Sequence, residues 1–514
     1  MESERVAEPV TRKKRILIFI VAYNAEKTIQ EVLRRIPASL QQYDTEVLII
    51  DDASRDRTFE RGEEARRKGE LPFKLTVLFN PVNQGYGGNQ KIGFHYAIQQ
   101  GFDAVALVHG DGQYAPECLP ELLQPLLNGE ADAVFGSRML TPGGARHGGM
   151  PLYKFVGNKI LTTYQNFMLR AQLSEFHSGY RLYSVPALAK LPFHLNSNVF
   201  HFDTEIIIQF LFAGLRIKEL PIPTYYGDEI CHVDGMKYAW DVAKATFVAR
   251  AQSWGIFYDR KYDVRGEHGH RLSDAAKLGF DSAPARVLKS IASGAKVLDM
   301  SPPPHYLGQA LHQAGALVDS LGPASPADRR HLNRHITAAI FGDHELPPLD
   351  GYDTVAMLDV IGLHPHPETL VDRLRHAARR GINTRFIVNA GNVGFVVLRL
   401  AHLFGQFNYG KRGILDYRVG RLFTYRSLRR LFEQAGFEVL EEAGVPAPFP
   451  LAFGDNAGSR ALLALNRLLI RLWRGAFSYQ IYMVVKPLPS LHYLLAEAAS
   501  QSEQRAEAGA KKSA

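Results

Sequence analysis

Cysteine is scarce in this chain: Cys118 and Cys231 are the two among 514 residues. Two cysteines cannot form the disulfide framework of a small secreted domain, so we expect a reducing compartment. Long hydrophobic runs are also missing, because no stretch approaches the ~20 uninterrupted apolar residues of a membrane-spanning helix. The segment from Met1 to Pro9 is polar and lacks the apolar core of a signal peptide. These absences predict a cytoplasmic protein whose membrane contact, if any, is peripheral and on the inner face.

A strong excess of charge of one sign is absent as well. Lysine and arginine number 60 against 52 aspartates and glutamates, which gives a formal net charge of +8. This balance favours anionic partners such as sugar nucleotides or acidic lipid surfaces. The sequence shows neither an aromatic RNA-binding motif nor a dense basic stripe, so no nucleic acid partner is expected. The oligomeric state is not fixed by the sequence, and a homo-oligomer is among the states it allows.

The pattern along the chain predicts two α/β domains. From Arg15 onward, short apolar runs alternate with helical spacing, which indicates a mostly parallel sheet covered on both faces. The strands predicted in the first half are 16–21, 47–50, 75–79, 104–108 and 133–135. A charged stretch, Asp259 to Asp274, interrupts the alternation. The strands predicted after it are 296–300, 317–321, 354–360, 385–389, 437–440 and 479–485.

These patterns define the expected domain boundaries. We predict a first domain over residues 15–260, a linker over 261–282 and a second domain over 283–490. The polar ends, residues 1–14 and 491–514, are expected to be disordered because they hold too few apolar groups to fold.

Four segments with polar side chains each follow a predicted strand of the first domain. They are Val21–Glu26, Ile50–Asp56, Asn83–Gly93 and His109–Gln113, the last followed by Pro116 and Glu117. Ligands of open α/β sheets bind beyond the carboxyl ends of the strands, so one crevice should gather all four. Asp111 offers the hard oxygen ligand that Mg²⁺ or Mn²⁺ prefers. The glycines beside it would let a diphosphate approach the backbone.

Together the four segments resemble the inverting glycosyltransferases of the GT-A fold, and among these the dolichol-phosphate mannose and undecaprenyl-phosphate glucose synthases. The resemblance covers residues 15–260. It implies a Rossmann-like GT-A domain that transfers a hexose from a nucleotide-sugar to a polyprenyl phosphate with inversion, assisted by Mg²⁺ or Mn²⁺. Such an enzyme would serve cell-envelope glycan biosynthesis at the membrane surface. Transfer to a glycan hydroxyl, or a scaffold without catalysis, are the alternatives.

The resemblance also implies roles for particular residues. The predicted contacts of the nucleotide-sugar are Ala22, Tyr23, Glu26, Asp51, Asp52, Lys91, Gly110, Gln113 and Arg138. Tyr23 would stack on the base, Asp51 or Asp52 would accept hydrogen bonds from base or ribose, and Lys91 would neutralise phosphate. Arg138 would face the phosphates as a fixed cationic fork, with a surface ion pair as the alternative.

Metal binding is predicted for Asp111 and His109. Asp111 would stabilise the departing nucleoside diphosphate through the cation, which makes it the first predicted catalytic residue. His109 stands where many members of the family carry another acid. Histidine ligates Mn²⁺ but is a poorer partner for Mg²⁺, and packing without a ligand is the alternative for His109.

Two further catalytic residues, Arg181 and Asp203, are predicted on the acceptor side. Ser178–Arg181 resembles the family's Ser/Thr-Gly-Phe-Arg segment, in which the arginine reaches the acceptor. Asp203 is either the N-cap of the helix that follows or an acid facing the acceptor. A lipid phosphate is already anionic, so we expect Asp203 to orient or stabilise it rather than to abstract a proton.

A stretch of aromatic and basic residues between Met150 and Phe176 resembles the interfacial helices that these enzymes lay on the bilayer. Packing into the core of the protein is the alternative. Unlike several members of the family, the chain shows no transmembrane hairpin after the catalytic domain.

In the second half, Val297–Asp299 ends a predicted strand, Tyr352–Asp359 is followed by Leu363–Pro367, and Phe423–Val439 completes the series. With these segments, residues 283–490 resemble a class I methyltransferase. The resemblance fails where S-adenosylmethionine should bind, because Ser301–Pro304 replaces the glycine-rich turn after the first strand. Proline fixes φ and has no N–H to offer. The acid expected after the second strand is also missing, since Gly322 lies near its place and Asp319 comes three residues early. We therefore expect a methyltransferase-like domain that does not bind S-adenosylmethionine; an active methyltransferase is the alternative.

Two amphipathic stretches stand out in this half, at 396–404 and 462–474. We expect them to face the core of their own domain, in preference to a membrane or a partner.

Overall fold

The computed structural model describes residues 12–69, 71–223, 234–253, 258–264, 276–302, 306–322, 331–337, 346–378, 383–410 and 413–489. The chain divides into two compact units. The first unit comprises residues 1–252 and 259–266, and the second comprises residues 253–258 and 267–514. Cys231, Pro303, Pro304, both predicted tails beyond residues 12–14, and residues 265–275 of the predicted linker lie outside the described residues.

In the described part of the first unit, seven strands form one mixed sheet in the order β3-β2-β1-β4-β6-β5-β7. The strands are β1 (Arg15–Ala22), β2 (Asp44–Asp51), β3 (Lys74–Phe79), β4 (Ala104–His109), β5 (Ala133–Ser137), β6 (Arg181–Ser184) and β7 (Ile217–Pro221). β6 runs antiparallel to both of its neighbours, whereas the other pairs are parallel. The predicted strands of this unit are confirmed, but β6 and β7 were not predicted. Both are short, and neither shows a continuous apolar run.

Helices cover both faces of this sheet. They are α1 (Ile29–Arg34), α2 (Thr58–Lys68), α3 (Tyr86–Gln99), α4 (Leu119–Leu127), α5 (Gly144–His147), α6 (Leu152–Leu169), α7 (Val185–Leu188), α8 (Phe202–Phe212) and α9 (Gly235–Ser253). Successive side chains of β1 point to opposite faces. Ile16, Ile18 and Ile20 join one buried core, and Leu17 and Phe19 join the other. The alternation explains why β1 is apolar at almost every position.

The carboxyl ends of four strands meet at one edge of the sheet. Ala22 of β1 pairs with Asp51 of β2, and Val21 pairs with His109 of β4. On the far side of β2, Asp51 pairs with Phe79 of β3. The four polar segments of the sequence therefore leave the sheet at the same level, as expected for parallel strands.

The first residues of the predicted linker pack in the first unit. Tyr262 is 2% exposed and belongs to its core. The Lys261 ammonium lies 2.8 Å from the buried carboxylate of Glu205 in α8. A buried carboxylate needs a paired charge, which is why this segment is held in place.

The second unit also contains a mixed sheet, and seven strands form it among the described residues. The strands are β8 (Lys296–Asp299), β9 (Leu317–Gly322), β10 (Arg334–Thr337), β11 (Thr354–Met357), β12 (Arg385–Gly391), β13 (Phe437–Val445) and β14 (Gln480–Pro487). Their order is β10-β9-β8-β11-β12-β14-β13, and β14 is antiparallel to both β12 and β13. The strand predicted to reach Val360 ends at Met357, where a turn with Asp359 at φ 57° begins. β10 was not predicted.

The described helices of the second unit are α10 (Ala283–Ser290), α11 (Tyr306–Gln313), α12 (Pro367–Ala377), α13 (Val396–Leu403), α14 (Tyr425–Gln434), α15 (Phe449–Phe453), α16 (Ala457–Leu472) and α17 (Arg474–Phe477). The prediction that α13 and α16 face the core is wrong for most of their apolar side chains, although Leu463 of α16 is buried. Leu403 and Leu472 are 78% and 75% exposed. An amphipathic pattern gives a helix two faces, but here the hydrogen-bonded side chains of Ser459 and Asn466 share the inner face of α16 with Leu463.

Candidate active site

The loops that leave β1 and β2 are tied to each other at the edge of the first sheet. The Asn24 and Ala25 N–H groups donate to the hydroxyls of Ser54 (2.8 Å) and Thr58 (2.7 Å). The Glu26 N–H donates to Asp56 Oδ2 at 3.1 Å. These bonds fix the backbone around Ala22, which is buried, and leave the Tyr23 ring 46% exposed above the edge. An exposed ring on a rigid loop can stack on a flat ligand.

Asp51 and Asp52 differ in how their oxygens are used. Asp51 is 1% exposed, and its Oδ1 accepts hydrogen bonds from the N–H and the hydroxyl of Ser54. Its Oδ2 is buried without a hydrogen-bond partner among the described residues. Burial raises the pKa of Asp51 above its ordinary value, against the effect of the Ser54 bonds.

Asp52 holds the β3–α3 loop together. Its Oδ1 accepts from Asn80 Nδ2 and the Gln84 N–H, both at 2.8 Å, and its Oδ2 accepts from the Gly85 N–H at 2.9 Å. Three donors from one loop leave this carboxylate little capacity for a ligand. Its contact with a base or ribose stays a prediction, and the structure adds a loop-ordering role that the sequence did not reveal.

Lys91 of α3 is also engaged within the protein. Its ammonium donates to the Asn196 carbonyl and to Asn198 Oδ1, the latter at 2.7 Å. Burial lowers the pKa of Lys91. The predicted phosphate contact would require this side chain to leave the 196–198 loop, and it stays a prediction.

Asp111 lies in the loop after β4 and is exposed to solvent. Its Oδ1 accepts the N–H of Gln113 at 3.0 Å, which holds the carboxylate in place. The loop is fixed at its base, because the Gly110 N–H donates to the Val21 carbonyl at 2.9 Å and the Thr28 hydroxyl donates to the Gly110 carbonyl at 2.6 Å. A fixed and exposed carboxylate at this edge can bind a cation.

His109 packs beneath the loop rather than in the open. Its Nε2 lies 3.3 Å from the Tyr86 hydroxyl, and its ring makes edge contacts with Tyr86 and Tyr114. A Cβ atom at Gly179 would lie 2.7 Å from the His109 ring, so only glycine fits opposite it. These contacts favour the packing alternative for Nε2, and ligation of a metal by His109 stays a prediction.

Asp203 is held in α8 by three side chains. Its Oδ2 accepts from the Tyr86 hydroxyl at 2.9 Å, and its Oδ1 accepts from Gln90 Nε2 at 3.2 Å. The Arg181 guanidinium lies 3.5 Å from the same Oδ1. The alternative that Asp203 is the N-cap is wrong, because α8 begins at Phe202 and its N-cap is His201. A carboxylate at this position also benefits from the helix dipole.

Arg181 is 1% exposed and is the largest fully buried side chain among the described residues. Its guanidinium donates to the carbonyls of Phe176, Ser178 and Asp203, each at 2.8 Å. A buried guanidinium with these partners fixes the 176–181 segment against α8. The geometry supports a positioning role, and direct contact with an acceptor stays a prediction.

Arg138 forms a buried ion pair instead of the surface pair considered from the sequence. The side chains of Arg138 and Glu175 are 11% and 0% exposed, and several guanidinium and backbone N–H groups donate to the carboxylate. Asn158 Nδ2 adds a bond at 2.8 Å. Burial would raise the pKa of Glu175, but Arg138 and these bonds hold it below its ordinary value. The cation is therefore rigid, and its contact with phosphate stays a prediction.

Sequence reasoning missed several residues that complete the site. Tyr86 and Gln90 lie on α3, where Lys91 was the one predicted site residue. The Tyr114 hydroxyl accepts the Gly179 N–H at 2.7 Å, and the Tyr238 hydroxyl lies 2.9 Å from His177 Nδ1. The aromatic residues near the glycines of the predicted site could have indicated these contacts. Their partners are 60 or more residues away in the chain, so the sequence alone does not pair them.

The α6 helix turns many of its apolar side chains outward, although Leu169 at its end is buried. Ile160 and Phe167 are 64% and 80% exposed, whereas Asn158, Thr162 and Gln165 are buried. The alternative that this stretch packs into the core is wrong for its outward side chains. Among the described residues, no helix is both long and apolar enough to cross a membrane.

Comparison with known proteins agrees with this geometry. The family model "Glycosyl transferase family 2" matches residues 17–191, which include the four strand-end segments. A UDP-N-acetylglucosamine–dolichyl-phosphate N-acetylglucosaminyltransferase of Methanococcus voltae is 31% identical over 222 residues, 41% of this chain and 86% of that protein. The chain belongs to glycosyl transferase family 2. It is a glycosyltransferase, with a GT-A-like, Rossmann-type first unit.

Two further relatives of this glycosyltransferase are similar over the same share of the chain. An undecaprenyl-phosphate mannosyltransferase of Micrococcus luteus is 30% identical over 209 residues, 40% of this chain and 82% of that protein. A polyprenol monophosphomannose synthase of Mycolicibacterium smegmatis is 27% identical over 210 residues, 41% of this chain and 77% of that protein.

Proposed function

We propose that this glycosyltransferase moves a hexose from a nucleotide-sugar to a polyprenyl phosphate and inverts the anomeric carbon. The observation that carries the proposal is the strand-end edge, where the exposed Asp111 carboxylate and the exposed Tyr23 ring lie on loops tied to β1 and β4. Relatives named for transfer to dolichyl, undecaprenyl or polyprenol phosphate support the acceptor class.

In this proposal the donor lies along the edge from β2 to β4. Tyr23 stacks on the base, and Asp51 Oδ2, which is buried without a partner among the described residues, accepts a hydrogen bond from base or ribose. A buried acceptor without a partner costs free energy, so a ligand donor that reaches it contributes to affinity. The backbone around Ala22, Glu26, Gly110 and Gln113 lines the path of the diphosphate, and the Arg138 guanidinium, which Glu175 holds in place, lies near its end.

The residues at the edge fit a divalent cation that takes most of its ligands from the diphosphate. Asp111 supplies a hard oxygen ligand on a loop open to solvent. The described residues contain no group of three or more side chains able to hold a metal by themselves. Mg²⁺ often binds through one or two carboxylates plus phosphate oxygens and water, and it would neutralise charge on the departing diphosphate.

Asp203 orients the acceptor side in this proposal. Its two oxygens already accept hydrogen bonds from Tyr86 and Gln90, with Arg181 beside them. A carboxylate that is held this firmly provides a fixed negative charge beside the reacting groups. A phosphate acceptor attacks as an anion and needs no base, so positioning suffices.

The outward faces of α6 and α9 would meet the bilayer that holds the lipid acceptor. The exposed apolar side chains are Leu152, Tyr153, Val156, Ile160 and Phe167 on α6 and Met236, Trp240 and Phe247 on α9. The two helices are adjacent, since the Tyr164 hydroxyl donates to the Ala243 carbonyl at 3.3 Å. Aromatic and aliphatic side chains on helices of this kind suit the membrane interface.

A transfer assay tests the proposal. The full chain is incubated with Mn²⁺, polyprenyl phosphate in detergent and a panel of labelled nucleotide-sugars, and the lipid-linked product is extracted and its anomeric configuration read by NMR. We expect one donor to give an inverted glycosyl phosphate, and Asp111→Asn to form it about 10³-fold more slowly. Transfer to a soluble glycan, with none to polyprenyl phosphate, would instead establish the hydroxyl-acceptor alternative.

We also propose that the second unit is methyltransferase-like in fold but does not bind S-adenosylmethionine. Support comes from the sheet order with its antiparallel β14 and from the start of the turn after β8, where Pro302 follows Ser301. Asp319 accepts hydrogen bonds from Tyr352 Oη at 2.6 Å and Asn333 Nδ2 at 3.2 Å, so it serves the local loops.

A further inference from the structure

The α16 helix of the second unit is built with its polar side inward. Leu465, Leu468 and Leu472 are 52%, 54% and 75% exposed, and their spacing of three and four places them on one side of the helix. On the opposite side, Ser459, Leu463 and Asn466 are buried. Most surface helices of globular proteins turn more of their leucines inward than this helix does.

The inward polar groups are satisfied, so the orientation of α16 is fixed. Ser459 takes part in a capping box with Asn456, in which each side chain bonds to the backbone of the other. The Asn466 side chain accepts the Ala447 N–H at 2.9 Å and donates to the Phe477 carbonyl at 3.0 Å. Rotating the leucines inward would break the two Asn466 bonds, because their partners lie outside the helix, and would leave Asn466 without them.

The α13 helix extends the same exposed apolar surface. The Arg399 guanidinium of α13 lies 5.4 Å from the Trp473 ring centroid at the end of α16. Leu403 and Phe404, at the end of α13, are 78% and 80% exposed. The basic face is defined as the outward side of α13 and α16, including Phe404, Trp473 and Arg474.

The acidic and basic side chains that α13 and α16 themselves carry are all basic. Neither Val396–Leu403 nor Ala457–Leu472 contains an aspartate or glutamate. The arginines on or beside the two helices are Arg399, Arg460, Arg467, Arg471 and Arg474. Asp455, Asp281 and Glu442 pair with Arg460, Arg467 and Arg474 from neighbouring segments. Leucines and a tryptophan flanked by arginines, with no acid on the helices, match the chemistry of an anionic lipid surface.

We propose that the basic face binds the anionic surface of a lipid bilayer. A second copy of this chain is disfavoured as the occupant, because a self-complementary contact would bring arginines such as Arg399 and Arg471 together with no acid on either helix. An anionic bilayer neutralises the arginines and accepts the leucines together. The proposal is independent of sugar transfer, since detergent-solubilised acceptor can reach the first unit without any bilayer.

Vesicle sedimentation of the full chain tests the proposal. The vesicles are phosphatidylcholine with or without phosphatidylglycerol, and the variant is Leu465→Glu/Leu472→Glu. Both proteins also carry Ile160→Glu/Phe167→Glu, which removes binding through α6. We expect the affinity of the variant for anionic vesicles to fall at least about tenfold, because two leucines no longer enter the interface. Leu440→Glu is the matched control, since Leu440 is also half exposed but lies on β13.

A charge variant provides the second arm. Arg471→Gln should weaken binding to anionic vesicles about fivefold, as expected for one arginine near an anionic surface, and leave the weak binding to neutral vesicles unchanged. The proposal is overturned if the leucine variant binds as its parent does, if binding ignores phosphatidylglycerol, or if the leucine variant turns a dimer into a monomer in sedimentation velocity. Circular dichroism of each variant verifies its folding.

Discussion

The two units carry the same kind of strand-end aspartate in opposite environments. Asp111, two residues after β4, and Asp299, the last residue of β8, each accept the N–H of the residue two places on, at 3.0 Å and 2.9 Å. Asp111 is exposed to solvent, whereas Asp299 is 0% exposed. The same local hydrogen bond thus presents one carboxylate to ligands and hides the other.

The loops around the two aspartates explain the difference. The residue after Asp111 is Gly112 at φ 77°, a conformation that turns the chain outward and suits glycine. The residue after Asp299 is Met300, which is fully buried, and Pro302 follows two residues later. Two sheets of related architecture therefore differ in chemistry through a few residues beyond their strands, as expected where sites lie on loops of a shared fold.

Neutralising each aspartate in turn tests directly whether the two strand-end carboxylates differ in function. We expect Asp111→Asn to lower kcat/KM for sugar transfer about 10³-fold, the size of ~4 kcal/mol of lost charge stabilisation. The fold should be unaffected because the side chain is exposed. Transfer rates with labelled donor and polyprenyl phosphate in detergent provide the measurement.

Asp299→Asn is the matched control and should leave transfer unchanged, since the second unit has no part in the proposed chemistry. An Asp111→Asn enzyme with near-normal rates would remove the metal proposal. A loss of transfer in Asp299→Asn, with folding intact, would show that the second edge is functional.

A smaller effect is expected from His177, which is partly buried beside the first edge. Burial lowers the pKa of His177 to about 4, from an ordinary 6.5. Below pH 6.5 the unfolded chain binds a proton that folded His177 does not, so the free energy of unfolding falls as the pH drops toward 4. The loss from this group is at most about 3 kcal/mol, at 1.36 kcal/mol per pKa unit.

Replacing His177 by asparagine isolates this contribution. Asparagine does not titrate and keeps a polar atom within reach of the Tyr238 hydroxyl, so His177→Asn should lose less stability than the parent between pH 7 and pH 4.5. Urea unfolding at several pH values measures the difference. Parallel curves for both proteins would mean that His177 titrates normally.

Substitutions of Tyr86 and Asp203 test whether Asp203 positions the acceptor or abstracts a proton. Removing the Tyr86 hydroxyl in Tyr86→Phe should lower kcat about tenfold with little change in donor KM, because one hydrogen bond that positions Asp203 is lost. Asp203→Asn should cost less than ~100-fold, since we assign it orientation rather than proton abstraction. Steady-state kinetics with a phosphate acceptor decide the matter: a larger loss in Asp203→Asn would make it a base.

The sequence predicted where the site lies but not how its side chains are used. Asp51, Asp52, His109 and Asp111 follow buried strands, and parallel pairing brings such ends together. That the Asp52 oxygens bind Asn80, Gln84 and Gly85 depends on a loop some 30 residues away, which no local pattern encodes. The relative placement of distant partners is set by tertiary packing, so it becomes visible only in the structure.

The sequence also did not predict which face of each amphipathic helix turns toward the core. The period of apolar residues in α16 predicted a two-faced helix, and that is confirmed. Which face turns inward depends on whether its polar groups find partners, as Asn466 does with Ala447 and Phe477. The same reasoning applies to α6, where Asn158 bonds to Glu175 on the buried side.

The last prediction is that S-adenosylmethionine has no effect on the second unit. S-adenosylmethionine should produce no heat on titration into the full chain and no change in its melting temperature, because Pro302 stands where a glycine-rich turn would need to approach the cofactor. A nucleoside diphosphate with Mn²⁺ is the positive control. At 100 times its Kd it should stabilise the first unit by about 2.7 kcal/mol, visible as a higher melting temperature.

Micromolar binding of S-adenosylmethionine would contradict the comparison between the two edges. Asp299→Ala then separates the remaining explanations. Loss of that binding would assign the cofactor to the β8 edge and restore the methyltransferase alternative, whereas unchanged binding would place the cofactor away from Asp299. Methyl transfer to a glycolipid product would be the next measurement only in the first case, because catalysis requires the cofactor to lie at the strand ends where class I sheets bind ligands.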